Sequence, residues 1–174
     1  MSASEYFSTL RKDPKLTEEQ RIFLDRLSDV IDAVKPAHLA LDNLSANFDI
    51  GSKRKPALQL ELPHVSDRDL KLLLTVEPGA IVVSYGWFDH IHFGYPEPDR
   101  PLDEALPFIR DLLAGNVEVE IAHGWLSTRV TTFQISPMGE RVELQTCGTL
   151  AIFAGGMKWP PKPREVRRLS FAEL

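Results

Sequence analysis

A single cysteine, Cys147, stands in the 174 residues. One thiol cannot close an intrachain disulfide, nor can it supply a cysteine cluster for zinc. Long apolar runs are missing too: nothing approaches the roughly 20 residues that a membrane-spanning helix requires. The first residues, Met1-Ser-Ala-Ser-Glu-Tyr6, lack the charged-then-apolar pattern of a secretory signal, so a reducing cytoplasm is the expected location. No Gly-x-Ser-x-Gly elbow surrounds Ser84 or Ser127, and there is no phosphate-binding glycine loop, internal repeat or low-complexity tract. Clustered positive charge is scarce. The formal net charge is −5, which argues against a nucleic-acid or anionic-membrane partner. The one basic triplet, in Gly51-Ser-Lys-Arg-Lys55, has no aromatic neighbours and reads as a solvated loop. Residues 158–174 hold five basic side chains against Glu165 and Glu173, a local +3 that leaves −8 on the remainder.

What the chain does contain is alternating apolar patterns. Thr17-Glu-Glu-Gln20 is a capping box, and Phe23, Leu27, Val30, Ile31 and Val34 follow at helical spacing until Pro36 stops the helix at Lys35. Residues 1–16 read as polar, and as mobile or loosely docked. Leu39, Leu41 and Leu44 fit a short strand or a helical turn equally well. Leu58, Leu60 and Leu62 alternate with Gln59 and Glu61 as a half-buried strand that ends at Pro63. Ser66-Asp-Arg-Asp69 is ambiguous. Residues 70–77 and 81–95 form a hairpin about Pro78-Gly79, a dipeptide suited to a type II turn. An amphipathic helix over 102–114, with Pro107 as an expected irregularity, ends at Gly115-Asn116. Strands at 117–123, 129–136 and 141–146 follow, with turns at 124–127 and 137–140; residues 149–153 extend the last strand or add another.

These patterns predict a single α+β domain over residues 1–157. It has a mainly antiparallel sheet of about five to seven strands, with two helices packed on one face. Residues 158–174 are the expected basic, proline-rich terminus.

The polar residues set within apolar surroundings gather around the long strand 81–95. Period-two counting puts Ile81, Val83, Tyr85, Trp87, Asp89, Ile91, Phe93 and Tyr95 on one face and Val82, Ser84, Phe88, His90 and His92 on the other. His90 and His92 thus share a side, as two imidazole ligands of one metal ion would. His123 is the best third ligand, with Glu118 or Glu120 as further options. A solvated sheet face accounts for the same histidines without a metal, and no cofactor is expected. Cys147, between Thr146 and Gly148, reads as a small buried hydrophobe. Among the aromatic residues Trp125 falls in a turn, where an exposed ring would anchor a partner; Trp87, Tyr85 and Tyr95 are the other candidate partner-binding positions.

The segment Trp-Phe-Asp-His-Ile-His-Phe (87–93), then Asp-Glu-Ala-Leu-x-Phe-Ile-x-Asp-Leu-Leu (103–113) leading into Val-Glu-Val (117–119), resembles small uncharacterised bacterial proteins. Some of these are encoded beside polymorphic toxins as immunity proteins. The resemblance spans roughly residues 70–125 and carries over no catalytic or binding residue. It implies an acidic, non-catalytic α+β domain that works by binding another protein. The expected function is therefore protein–protein contact; the alternative is a metal-dependent enzyme built on His90 and His92.

Overall fold

The N-terminal stretch, read from the sequence as polar and either mobile or loosely docked, begins with a helix, α1 (Ala3–Leu10), whose Phe7 is 1% exposed. This computed structural model describes residues 3–49, 56–66, 71–85, 89–94, 101–123, 127–150 and 165–170. The linker after α1 is pinned by Arg21, whose guanidinium donates to the carbonyls of Arg11, Asp13 and Leu16. Arg11 in turn pairs with Asp25.

The second helix, α2 (Glu18–Val34), starts at the expected capping box: Gln20 N donates to Thr17 Oγ1 at 3.3 Å and Thr17 N to Gln20 Oε1 at 3.0 Å. The Gln20 amide nitrogen also reaches the carbonyls of Pro56 and Val76 at 3.0 and 3.1 Å. One buried side chain therefore closes the helix terminus and ties it to the sheet beneath. At the other end Lys35 takes φ +52° and donates its N–H to Ile31 O. Leu24 joins Phe23, Leu27 and Ile31 in the buried stripe.

Beyond α2, Leu39 bridges to His64, Leu41–Asn43 form a 3₁₀ turn, and β1 (Ser45–Asp49) begins where the sequence offered no clear strand. Four more strands complete an antiparallel sheet in the order β1-β2-β3-β4-β5: β2 (Ala57–Pro63), β3 (Lys71–Glu77), β4 (Ala80–Tyr85) and β5 (Asp89–Phe93). Gly79, at φ +76°, supplies the turn between β3 and β4. The long strand expected over 81–95 is in fact a hairpin, with Ser84 opposite His90 and Ile81 opposite Phe93. Its residues keep the predicted faces because partners across it have numbers of the same parity. Rows such as Leu60–Leu74–Val83–Ile91 line the helix-covered side; Gln59–Thr75–Val82–His92 line the other. Each fully buried leucine of this kind contributes about 1.5–3 kcal/mol.

The third helix, α3 (Pro101–Leu113), lies on β4 and β5 and against α2. It buries Ala105, Leu106, Phe108, Ile109, Leu112 and Leu113, and runs through Pro107. Pro107 and Asp103 are both exposed, so water can take the bond that proline cannot make to the Asp103 carbonyl. Asn116 N donates to Asp111 O and Gly115 N to Leu112 O, with Gly115 at φ +78°: a Schellman ending.

The remaining strands form a second antiparallel sheet in the order β8-β7-β6-β9, from β6 (Val117–His123), β7 (Ser127–Ile135), β8 (Arg141–Leu150) and β9 (Glu165–Ser170). The architecture is α+β and antiparallel as expected, but the described residues hold nine strands in two sheets and three helices. The C-terminal stretch, expected as a solvated terminus, supplies β9, and Ser170 is buried. Val117, Val119 and Ile121 join the same apolar core as the first sheet. Polar links complete the junction: Tyr85 Oη to Thr132 Oγ1 (2.7 Å), Gln134 Nε2 to Asp111 Oδ2 (2.5 Å) and Gln145 Nε2 to His90 O (3.2 Å).

Candidate functional site

His90 and His92 lie where the period-two reading put them, on the uncovered face of the first sheet, their ring centroids 5.0 Å apart in an edge-to-face arrangement. His123 closes β6 in the other sheet, opposite Thr128 and Glu165. Among the described residues no group of three or more His, Cys, Asp or Glu is placed to hold a metal ion. Glu118 and Glu120, the further ligand options, are engaged elsewhere: Arg141 Nε meets Glu118 at 3.1 Å and its Nη1 meets Glu120 at 3.4 Å.

The aromatic candidates divide in two. Tyr85 is 1% exposed, its hydroxyl bonded to Thr132 and its ring 5.9 Å from that of Phe108. It is a core residue, and a partner cannot reach it. Period-two counting assigned its face correctly, but could not tell that α3 covers that face. Trp87, Tyr95 and Trp125 lie outside the described residues, as do Gly51–Lys55 and the 124–126 turn. Cys147 sits opposite Val130 within β8.

Another surface stands out, one the sequence reading passed over as an ordinary hairpin. The β7–β8 turn is built by Ser136-Pro-Met-Gly-Glu140. Gly139 N donates to Ser136 O, Ser136 N to Glu140 O, and Glu140 N to the Ser136 hydroxyl. Gly139, at φ +80°, takes the left-handed position that closes a three-residue hairpin loop. This turn presents Met138 at 83% exposure, and the strand after it presents Val142 at 53% and Leu144 at 40%. Ile22 and Val65 are the other large hydrophobic residues exposed among those described, and neither lies on this hairpin.

The hairpin is also stiffened. The Arg141 guanidinium lies 3.9 Å from the Phe133 ring centroid while its nitrogens reach Glu118 and Glu120 on β6. Each such part-exposed ion pair contributes at most about 1 kcal/mol. Together they hold the start of β8 flat against β7 and β6. A cleft of about 450 Å³ beside it is lined by Arg110, Asp111, Asn116, Gln134, Ser136 and Val142, among others. The Asp111 carboxylate there is taken up by Gln134 and by Arg110 at 3.3 Å, so it clasps α3 to β7.

One further polar pair joins the half-buried His38 to the buried His64. The His38 and His64 rings lie 5.7 Å apart where Leu39 bridges to His64, and burial, then the neighbouring His64, hold the His38 imidazole below its ordinary pKa. No helix among the described residues is long and apolar enough to cross a membrane. Compared with protein-family models, with curated proteins and with solved structures, the chain finds no match in any of the three.

Proposed function

We propose that this chain acts by contact with another polypeptide, and that the outer surface of the β7–β8 hairpin is where the contact is made. The observation that carries this reading is the gathering of Met138, Val142 and Leu144 on one stiffened hairpin. Single exposed apolar residues are ordinary, but a cluster rimmed by charge marks an interaction surface. Arg141, Glu140 and Glu143 supply that charge. An immunity-type role, in which an acidic domain covers another protein, is one form this activity takes and follows the resemblance in residues 70–125. The −5 net charge suits a basic partner in that case.

A photo-crosslinking amino acid placed at Met138, in cells of the source organism, tests the reading. Asp32, exposed on α2, serves as the control position. A discrete polypeptide adduct at position 138 and none at position 32 is the expected result. Equal background at both positions would contradict it.

A further inference from the structure

We propose that the cleft between the end of α3 and the β7–β8 hairpin holds an extended, uncharged segment of the partner polypeptide, bound through its peptide groups. This rests on the reading of the hairpin as a contact surface, because Val142 belongs both to the exposed patch and to the cleft wall. Pro137, which also lines the cleft, directly precedes Met138. A volume of about 450 Å³ falls in the range, roughly 300–1,000 Å³, of pockets that enclose a ligand.

Charge inside the cleft is cancelled before a partner arrives. Arg110 Nε and Nη2 both turn to Asp111 Oδ1 at 3.3 Å, and Gln134 Nε2 donates to the other carboxylate oxygen. An incoming carboxylate would meet Asp111 and the negative end of α3. An incoming ammonium or guanidinium would meet Arg110. Neither sign is favoured, so the occupant is neutral. A chain terminus is excluded on separate grounds. Terminal carboxylates are captured by backbone N–H groups, and those along this cleft are spent: Asn116 N on Asp111 O, Ile135 N on Asn116 O, and Ser136 N on Glu140 O.

The groups left to meet a ligand are amide side chains. Asn116 is fixed at both of its main-chain groups by the first two of these bonds. Its exposed side chain makes no hydrogen bond among the described residues. It therefore offers a donor and an acceptor side by side, the pair that a peptide backbone presents in return. Gln134, with its nitrogen committed to Asp111, adds Oε1 as a second acceptor. Ile135, Pro137 and Val142 supply an apolar wall. Amides for the main chain beside an apolar wall for a side chain suit an extended segment that carries an aliphatic or aromatic residue. A purely apolar ligand would cover the amides without bonding them, which is unfavourable.

Peptide selection on the full chain tests this. Random heptapeptides held between flexible linkers, so that neither end is free, are displayed on phage, with Val142→Asp as the counter-selected protein. The best sequence is synthesised with a fluorescent label and its binding followed by polarisation. It should be uncharged and carry a bulky apolar residue, and its affinity should change less than about twofold between roughly 50 and 500 mM salt. Asn116→Ala should weaken binding about tenfold. The peptide is also methylated at each backbone nitrogen in turn, which leaves the protein itself unaltered. One methylation should cost wild type about tenfold and Asn116→Ala less than about twofold, since both remove the same bond.

A selection that returns nothing above background, a selected peptide that depends on its own charged residue, binding indifferent to Asn116→Ala, or methylation losses equal in the two proteins would overturn the proposal. Should the cleft take no peptide while Met138 still yields a polypeptide adduct, the cleft assignment falls and the contact reading stands. If neither is seen, both fall.

Discussion

In the first sheet every second residue of β2, β3 and β4 is buried, and those positions are Leu58, Leu60, Leu62, Leu72, Leu74, Val76, Ile81, Val83 and Tyr85. At the middle of β7 in the second sheet the buried residues are Thr131 and Thr132, while Val142 and Leu144 on the adjoining strand face solvent. The first sheet is a hydrophobic wall against which the helices pack. The second is attached to that body through the apolar stripe of β6 and then through side-chain hydrogen bonds. β6 buries Val117, Val119 and Ile121, but at this hairpin threonine lies inside and valine outside. That inversion locates the surface assigned to contact.

The contrast can be broken most severely at α3, which serves both sheets. Ile109→Asp would place an uncompensated charge at a fully buried position, at a cost on the order of 4 kcal/mol. Chemical denaturation measures it, and an unchanged midpoint would remove α3 from the core. Next comes Gln20→Ala. It deletes half of the capping box and the donor to the carbonyls of Pro56 and Val76, an expected loss of roughly 2–3 kcal/mol. Tyr85→Phe removes the hydroxyl bond that joins the sheets and should cost about 1–2 kcal/mol. Combined with Thr132→Val in a double-mutant cycle, it should show coupling; strict additivity would mean the bond contributes nothing.

Much of the first sheet was legible in the sequence because its physics is local. Leu58, Leu60 and Leu62 declare a strand by alternation, Pro78-Gly79 declares a turn, and Thr17 with Gln20 declares a helix start. Elsewhere the signals mislead. The aromatic, apolar stretch 86–88 hid the reversal between Tyr85 and Asp89, and only Gly86 hinted at it. α1 is held by Phe7 with Tyr6 and Leu10, an apolar set barely two turns long and too short to announce a helix. Charged residues in 165–170 concealed β9, whose pairing with β6 spans more than forty residues of sequence. The faces of His90 and His92 could be counted out by parity. That three exposed apolar residues would gather on the β7–β8 hairpin could not, because exposure depends on what the rest of the chain covers.

The half-buried His38 imidazole gives a gentler way to separate the regions. His38 binds its proton less readily in the folded chain, so the unfolded chain holds more protons as pH falls below about 6.5. Its contribution to stability is complete above that unfolded value and is lost as pH drops toward the lower, folded one. His38→Gln should flatten the fall in stability across this window, as followed by thermal melting at a series of pH values. A slope identical to wild type would assign the acid sensitivity to other groups. The smallest effect on folding is expected at Val142→Ser: as an exposed change it should move stability by no more than about 0.5 kcal/mol. The same substitution removes one of the three exposed apolar side chains of the proposed contact. A larger loss of stability would show that Val142 serves the monomer.

Photo-crosslinking from Met138, with Asp32 as the exposed control, tests the central claim most directly, because Met138 stands 83% exposed on the hairpin turn. The account predicts a discrete polypeptide adduct at position 138, weakened by Val142→Ser, and none at position 32. Equal background at both positions, or an adduct untouched by Val142→Ser, would contradict it.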